Sequence, residues 1–355
     1  MDISKEAIQQ LKLQPTSKEK MEYFIRNIPK VELHIHIEGS LEPKLMLEIA
    51  DRNGSCIKYK TIDEIERAYD FQDLQSFLDV YYEGTAVLQT EQDFYDMTWD
   101  YLKKAHNQNV VHAEIFFDPQ AHTERGVPFE TVITGINRAL KDGRQKLGIS
   151  VYLIMCFLRH LSQKAALKTL DEAVRFKDFI VGVGLDSTEL GNPPSKFKEV
   201  FKKARNEGLL PVAHAGEEGP ASYIREALDQ LNVLRVDHGV RCIEDNNLVK
   251  ELKERQVPLT ICPISNVKLK VFNTLEEHNL KLLLDMGLRI TLNSDDPAYF
   301  GGYINENFLL SQQSLGATHY DIYQLARNGV KASFLGNIQK QKLLEDINGF
   351  VLSNL

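Results

Sequence analysis

The chain has 355 residues, 43% of them hydrophobic, with 42 Lys and Arg against 50 Asp and Glu for a net charge of -8. That is enough apolar sequence to bury a large core as one domain, and its acidic balance excludes a phosphate-tracking surface, which needs clustered Lys and Arg. No stretch approaches the length of a membrane span and the amino end lacks an apolar signal region, so the expectation is a soluble, cytoplasmic protein without nucleic-acid or membrane partners.

In chain order, residues 1–28 predict one or two helices carrying Ile8, Leu11, Tyr23, Phe24 and Ile28, broken at Pro15. Next comes Lys30-Val-Glu-Leu-His-Ile-His-Ile-Glu-Gly-Ser40, in which Val31, Leu33, Ile35 and Ile37 alternate with Glu32, His34, His36 and Glu38. Alternation predicts a strand, and its period of two sends both imidazoles to one face, where they can reach one metal. A helix over 41–53 stops at Gly54. Residues 61–104 form a long helical insertion rich in aromatics, with Phe71, Leu74 and Phe77 as candidates for a wall over a site.

From residue 110 onward the pattern repeats. Apolar runs at 110–117, 149–157, 180–185, 210–214, 234–238, 258–262 and 288–293 alternate with amphipathic helical stretches, and with 31–37 they make eight candidate strands. Buried strands alternating with helices predict a parallel sheet, and eight predict a (β/α)8 TIM barrel of class α/β. A doubly wound sheet is the alternative, but neither G-x-G-x-x-G nor a phosphate-binding loop is present. Helices over 320–355 are expected to close a single barrel domain. Cys56, Cys156, Cys242 and Cys262 are too far apart for a C-x-x-C centre and read as reduced thiols.

Strand ends share one mouth in such a barrel. Polar residues gather there: His34 and His36; Asp186, Ser187 and Glu189; His214 and Glu217; His238; Asp295 and Asp296. Singly, each has a bland explanation. Asp295-Asp296-Pro297 also suits a helix cap, and Glu217-Glu218-Gly219-Pro220 a loop opening a helix. Jointly they point to a ligand set of His34, His36, His214 and Asp295, suited to one Zn2+ with a place for water. A water held by such a metal loses its proton near neutrality. His238, outside the set, is placed to orient and hydrogen-bond that nucleophile, Glu217 to donate a proton to the substrate, and Asp296 to face it.

His34-x-His36-x-Glu38-Gly39, His214-Ala-Gly-Glu217, Asp237-His238-Gly239, Cys262-Pro-Ile-Ser265-Asn266 and Ser294-Asp295-Asp296-Pro297 together resemble the adenosine and adenine deaminase family of the amidohydrolase superfamily. The resemblance implies hydrolytic deamination, with attack at C6 of a purine, protonation of N1 by Glu217 and an Asp296 contact at N7. Glu38 stands where nucleoside deaminases typically have Asp, at a position addressing the sugar, and the segments 184–194, 214–220, 263–268 and 296–302 are similar to the adenine deaminase branch. That branch implies a free purine base as substrate, in purine salvage, with Ser187, Glu189 and Glu218 as further candidate contacts to the purine edge or to the cap over it. Adenosine and N6-substituted adenines such as isopentenyl adenine are alternatives, as is a zinc-binding regulator without catalysis, although Glu217 and His238 favour an enzyme. A polynucleotide deaminase of the H-x-E with P-C-x-x-C type is disfavoured, because no P-C-x-x-C is present. Oligomeric state is left open by the sequence.

Overall fold

The computed structural model describes residues 3–13 and 17–355, so the break predicted at Pro15 lies outside the described residues. Eight parallel strands run in chain order: β1 (Lys30–His36), β2 (Val110–Phe117), β3 (Ser150–Leu158), β4 (Gly182–Asp186), β5 (Leu210–Ala215), β6 (Arg235–His238), β7 (Pro258–Ile261) and β8 (Arg289–Leu292). Each pairs with the next. All eight predicted strands are found, with ends shifted by at most two residues, and helices fill the intervals. The architecture is the (β/α)8 barrel that alternating buried strands and amphipathic helices require.

Closure joins β8 back to β1. The Leu33 N–H donates to Asn293 Oδ1 at 2.8 Å, the Asp295 N–H donates to the His34 carbonyl at 3.0 Å, and the His36 N–H donates to the Asp295 carbonyl at 3.0 Å. Below this seam, Glu32 acts as a clasp: it accepts from the Ser294 N–H and hydroxyl on one oxygen and from the Tyr101 hydroxyl, at 2.6 Å, on the other. Glu32 is fully buried, and such a group is tolerated only when its oxygens are satisfied.

The insertion after β1 is three helices rather than one long one: Ile62–Ala68, Leu74–Thr85 and Glu91–Asn107. Each starts at a side-chain cap, Thr61, Asp73 or Thr90. Such caps satisfy otherwise orphaned N–H groups and so fix where a helix begins. The middle helix lies over the mouth, where Leu74, Phe77, Leu78, Tyr81 and Tyr82 line the cavity. Phe71 does not line it and instead packs edge-on against Phe77 and Phe300. Among the described residues, no helix is long and apolar enough to cross a membrane.

Because Glu32 ties the first strand to the last, Glu32→Ala leaves Ser294 and Tyr101 without their acceptor inside the barrel wall. A loss of about 2–4 kcal/mol is expected, read as a lower midpoint in denaturant unfolding.

Candidate active site

Sequence periodicity and barrel closure bring four side chains together. His34 and His36 project inward from β1, His214 from β5, and Asp295 from the loop after β8; all four are buried. His36 Nε2 and His214 Nε2 are 3.1 Å apart, while Asp295 Oδ1 lies 3.1 Å from His34 Nε2 and 3.5 Å from His36 Nε2. A tetrahedral cation with bonds of about 2.0–2.1 Å has ligand atoms about 3.3 Å apart, so these spacings suit one such ion. Burial lowers the His36 and His214 pKa values, and for His214 the neighbouring His34, His36 and His238 rings lower it further. Neutral imidazoles are the form that ligates.

Burial works to raise the Asp295 pKa, but the facing His34, His238 and His36 rings outweigh it and hold the carboxyl well below its ordinary range. Three non-glycine residues around this mouth, Ser187, His238 and Asp295, have φ of 72°, 61° and 65°. Such conformations cost energy and occur where surrounding structure enforces them, often at functional sites.

Glu217 and His238 stand beside the cluster. Their nearest side-chain atoms, Oε2 and Nε2, are 3.4 Å apart, and His238 Nε2 is 3.7 Å from Asp295 Oδ2. Asn266 organises both, since its Nδ2 lies 3.3 Å from Glu217 Oε1 and from His238 Nδ1. His278, 3.2 Å from Asn266 Oδ1, orients that amide. Burial pushes the Glu217 carboxyl well above its ordinary range, and Asp295, Glu189 and Glu218 add to the effect. The Glu217 side chain is therefore a buried acid able to give up a proton, whereas His238, brought down to about 3 chiefly by burial, is neutral.

Asp296 lines the cavity from beside Asp295. Gly39 is required there by close packing: a Cβ at that position would lie 1.9 Å from Asp296 Oδ1. The other expected substrate contacts divide. Ser187 lines the cavity, with its hydroxyl 3.1 Å from the Tyr82 hydroxyl and 2.8 Å from His160 Nδ1. Glu189, Glu218 and Glu38 do not line it. The Glu189 carboxylate instead accepts the N–H groups of Gly216, Glu217, Glu218 and Gly219 at 2.6–3.1 Å. Four charge-assisted bonds fix the loop that carries Glu217, which makes Glu189 a support for the acid. Half-buried Glu218 faces the Leu74 N–H at 3.5 Å, at the start of the covering helix. Glu38 accepts from the Asp118 N–H at 3.1 Å and lies 2.9 Å from His122 Nε2, turned away from the opening.

Asp118, Asp186 and Tyr81 also line the cavity, and Asp118 Oδ1, both Asp186 oxygens and the Tyr81 hydroxyl are buried without hydrogen-bond partners. Asp118 and Tyr81 were not picked out by the sequence reading. A signal was present: Asp118-Pro119 ends a strand and starts a helix, as Asp296-Pro297 does.

Known proteins share this sequence and fold. The sequence model of the adenosine deaminase family matches residues 29–350. An adenine deaminase of Crocosphaera subtropica is 58% identical over 323 residues, covering 91% of this chain and 99% of that protein. The crystal structure of adenine deaminase from Arthrobacter aurescens superposes with a TM-score of 0.90 at 49% identity, over 91% of this chain and 99% of that one. An amidohydrolase of Burkholderia ambifaria, solved with bound Zn, gives a TM-score of 0.87 at 25% identity over 96% of each chain. The chain belongs to the adenosine deaminase family of the amidohydrolase superfamily, in its adenine deaminase branch.

Proposed function

We propose that the protein is an adenine deaminase that hydrolyses adenine to hypoxanthine and ammonia as a single catalytic barrel domain, with one zinc ion held by His34, His36, His214 and Asp295. The observation that carries the reading is the convergence of three imidazoles and a carboxylate beside a buried acid, Glu217, and a neutral His238. The 58% identity to a named adenine deaminase and the Zn-bound relative support it. When bound, the cation supplies Lewis-acid chemistry that makes water a competent nucleophile near neutral pH. His238 Nδ1 accepts from the Asn266 amide, so its Nε2–H donates a hydrogen bond to the attacking oxygen and orients it toward C6. Glu217 gives its proton to N1, so that negative charge does not build on the ring during attack. Asp296 pairs with the N7 side, and the covering helix with Leu74, Phe77 and Leu78 excludes solvent from the ring face.

Asp118 and Tyr81 favour a free base over a nucleoside. A free purine carries an N9–H donor beside the N3 acceptor, and an unpartnered carboxylate oxygen with an unpartnered hydroxyl complements that pair. A sugar on N9 removes the donor. Three of the four cysteines are buried and all four are free, which supports a reducing, cytoplasmic setting.

Ammonia release from adenine, adenosine and isopentenyl adenine tests the substrate. Adenine is expected to have the highest kcat/KM, and a higher value for adenosine overturns the free-base reading. Glu217→Gln keeps the side-chain shape but removes the acid. It is expected to retain full metal content while lowering kcat at least 100-fold, about the lower end for a lost proton-transfer group; an unchanged kcat removes Glu217 from that role.

A further inference from the structure

The floor beneath the imidazole cluster is polar, although inward barrel positions are usually filled by branched aliphatic side chains. Glu114 on β2, Arg235 and Asp237 on β6 and Thr260 on β7 are all fully buried. Their contacts are continuous. The Thr260 hydroxyl lies 2.9 Å from His34 Nδ1 and donates to Asp237 Oδ1 at 2.8 Å. Arg235 Nε is 3.5 Å from the same oxygen, and Arg235 Nη1 donates to Glu114 Oε2 at 2.6 Å. Glu114 is itself tied to the closed end of the barrel, accepting from the Phe334 N–H and lying 3.3 Å from His112 Nε2. The second Asp237 oxygen faces His214 Nδ1 at 3.8 Å, beyond hydrogen-bond distance, and neither of those two buried atoms has a hydrogen-bond partner.

Donor and acceptor counting gives this chain a direction. A threonine hydroxyl has one proton, and a carboxylate only accepts, so Thr260 gives its proton to Asp237 and accepts from His34 Nδ1–H. That selects the His34 tautomer whose Nε2 lone pair faces Asp295 and the other rings. A buried carboxylate needs a compensating charge, which Arg235 supplies while Glu114 anchors it from the other side. His36 Nδ1 faces a different carboxylate, with Asp186 Oδ2 3.5 Å away and not hydrogen-bonded to it.

We infer that Asp237 is a positioning residue for two of the metal-binding imidazoles, acting on His34 through Thr260 and on His214 directly, with Arg235 holding it in place. The inference rests on the metal reading above. It follows that metal affinity depends on Thr260 and Asp237, neither of which belongs to the cluster itself.

The test is zinc affinity of the full-length protein by chelator competition, together with the ligand-field absorption of the cobalt-substituted protein, in Thr260→Val, Thr260→Ser and Asp237→Asn. Thr260→Val keeps the shape and removes the hydroxyl. It is expected to weaken zinc binding about 10–100-fold and to alter the cobalt spectrum, and Thr260→Ser is expected to restore both. Asp237→Asn is expected to weaken binding further, since it affects two rings. Wild-type affinity and an unchanged spectrum in Thr260→Val overturn the positioning role, as does a Thr260→Ser variant no better than Thr260→Val. A wild-type protein that binds no divalent metal overturns the metal reading as well. The Thr260 pair decides the His34 route even if Asp237→Asn does not fold, and a folded Asp237→Asn that binds zinc no more weakly than Thr260→Val overturns the His214 route.

Discussion

Asp295 closes the barrel with its backbone and joins the three imidazoles with its side chain. Its N–H bonds the His34 carbonyl and its carbonyl receives the His36 N–H, so the spacing between carboxylate and rings is set by a parallel β-bridge rather than by flexible side chains. Its φ of 65° lies in the loop just after β8. Backbone bonds of this kind are short and directional. The site inherits the rigidity of the wall, and preorganisation of this kind is what precise chemistry requires.

The same crowding that makes the centre expensive to bury separates its acids into two populations. Asp295 faces imidazoles and stays well below its ordinary pKa, despite burial. Glu217, Asp296 and Asp118 face other carboxyls as well as low-dielectric surroundings, and burial together with those neighbours pushes each well above it. One carboxyl is thereby favoured as the anion and another as the proton-bearing acid, within one cavity. Pairs of groups driven apart in this way mark acid and base assignments. Glu189 adds a mechanical element, because a carboxylate holding four successive N–H groups leaves the Glu217 loop little freedom to move.

Much of this was legible in the residues. Alternation in residues 31–37 and seven further spaced apolar runs suffice for a barrel, since strand ends in a barrel share one mouth and the histidines and aspartates fall at those ends. Side-chain direction beyond the strands was less accessible. Glu189, Glu218 and Glu38 sit near the mouth by sequence, yet Glu189 spends both oxygens, and Glu218 and Glu38 one each, on neighbouring backbone or histidine, because backbone N–H groups of loops must be satisfied by something. Spacing does not reveal which loop supplies them. Asp118 carries only a weak signal, an acid before a Pro that opens a helix, which a plain helix cap explains equally well. The helical insertion showed its aromatic stripe but not its divisions, which depend on the caps Thr61, Asp73 and Thr90.

The claim on which the rest stands is that His34, His36, His214 and Asp295 surround a single divalent cation. X-ray absorption at the zinc edge of the purified, zinc-loaded protein measures that directly. The account predicts one zinc per chain, with three imidazole nitrogens and at least one carboxylate oxygen at about 2.0–2.1 Å. A spectrum with sulfur ligands, or with fewer than three imidazoles, would contradict it.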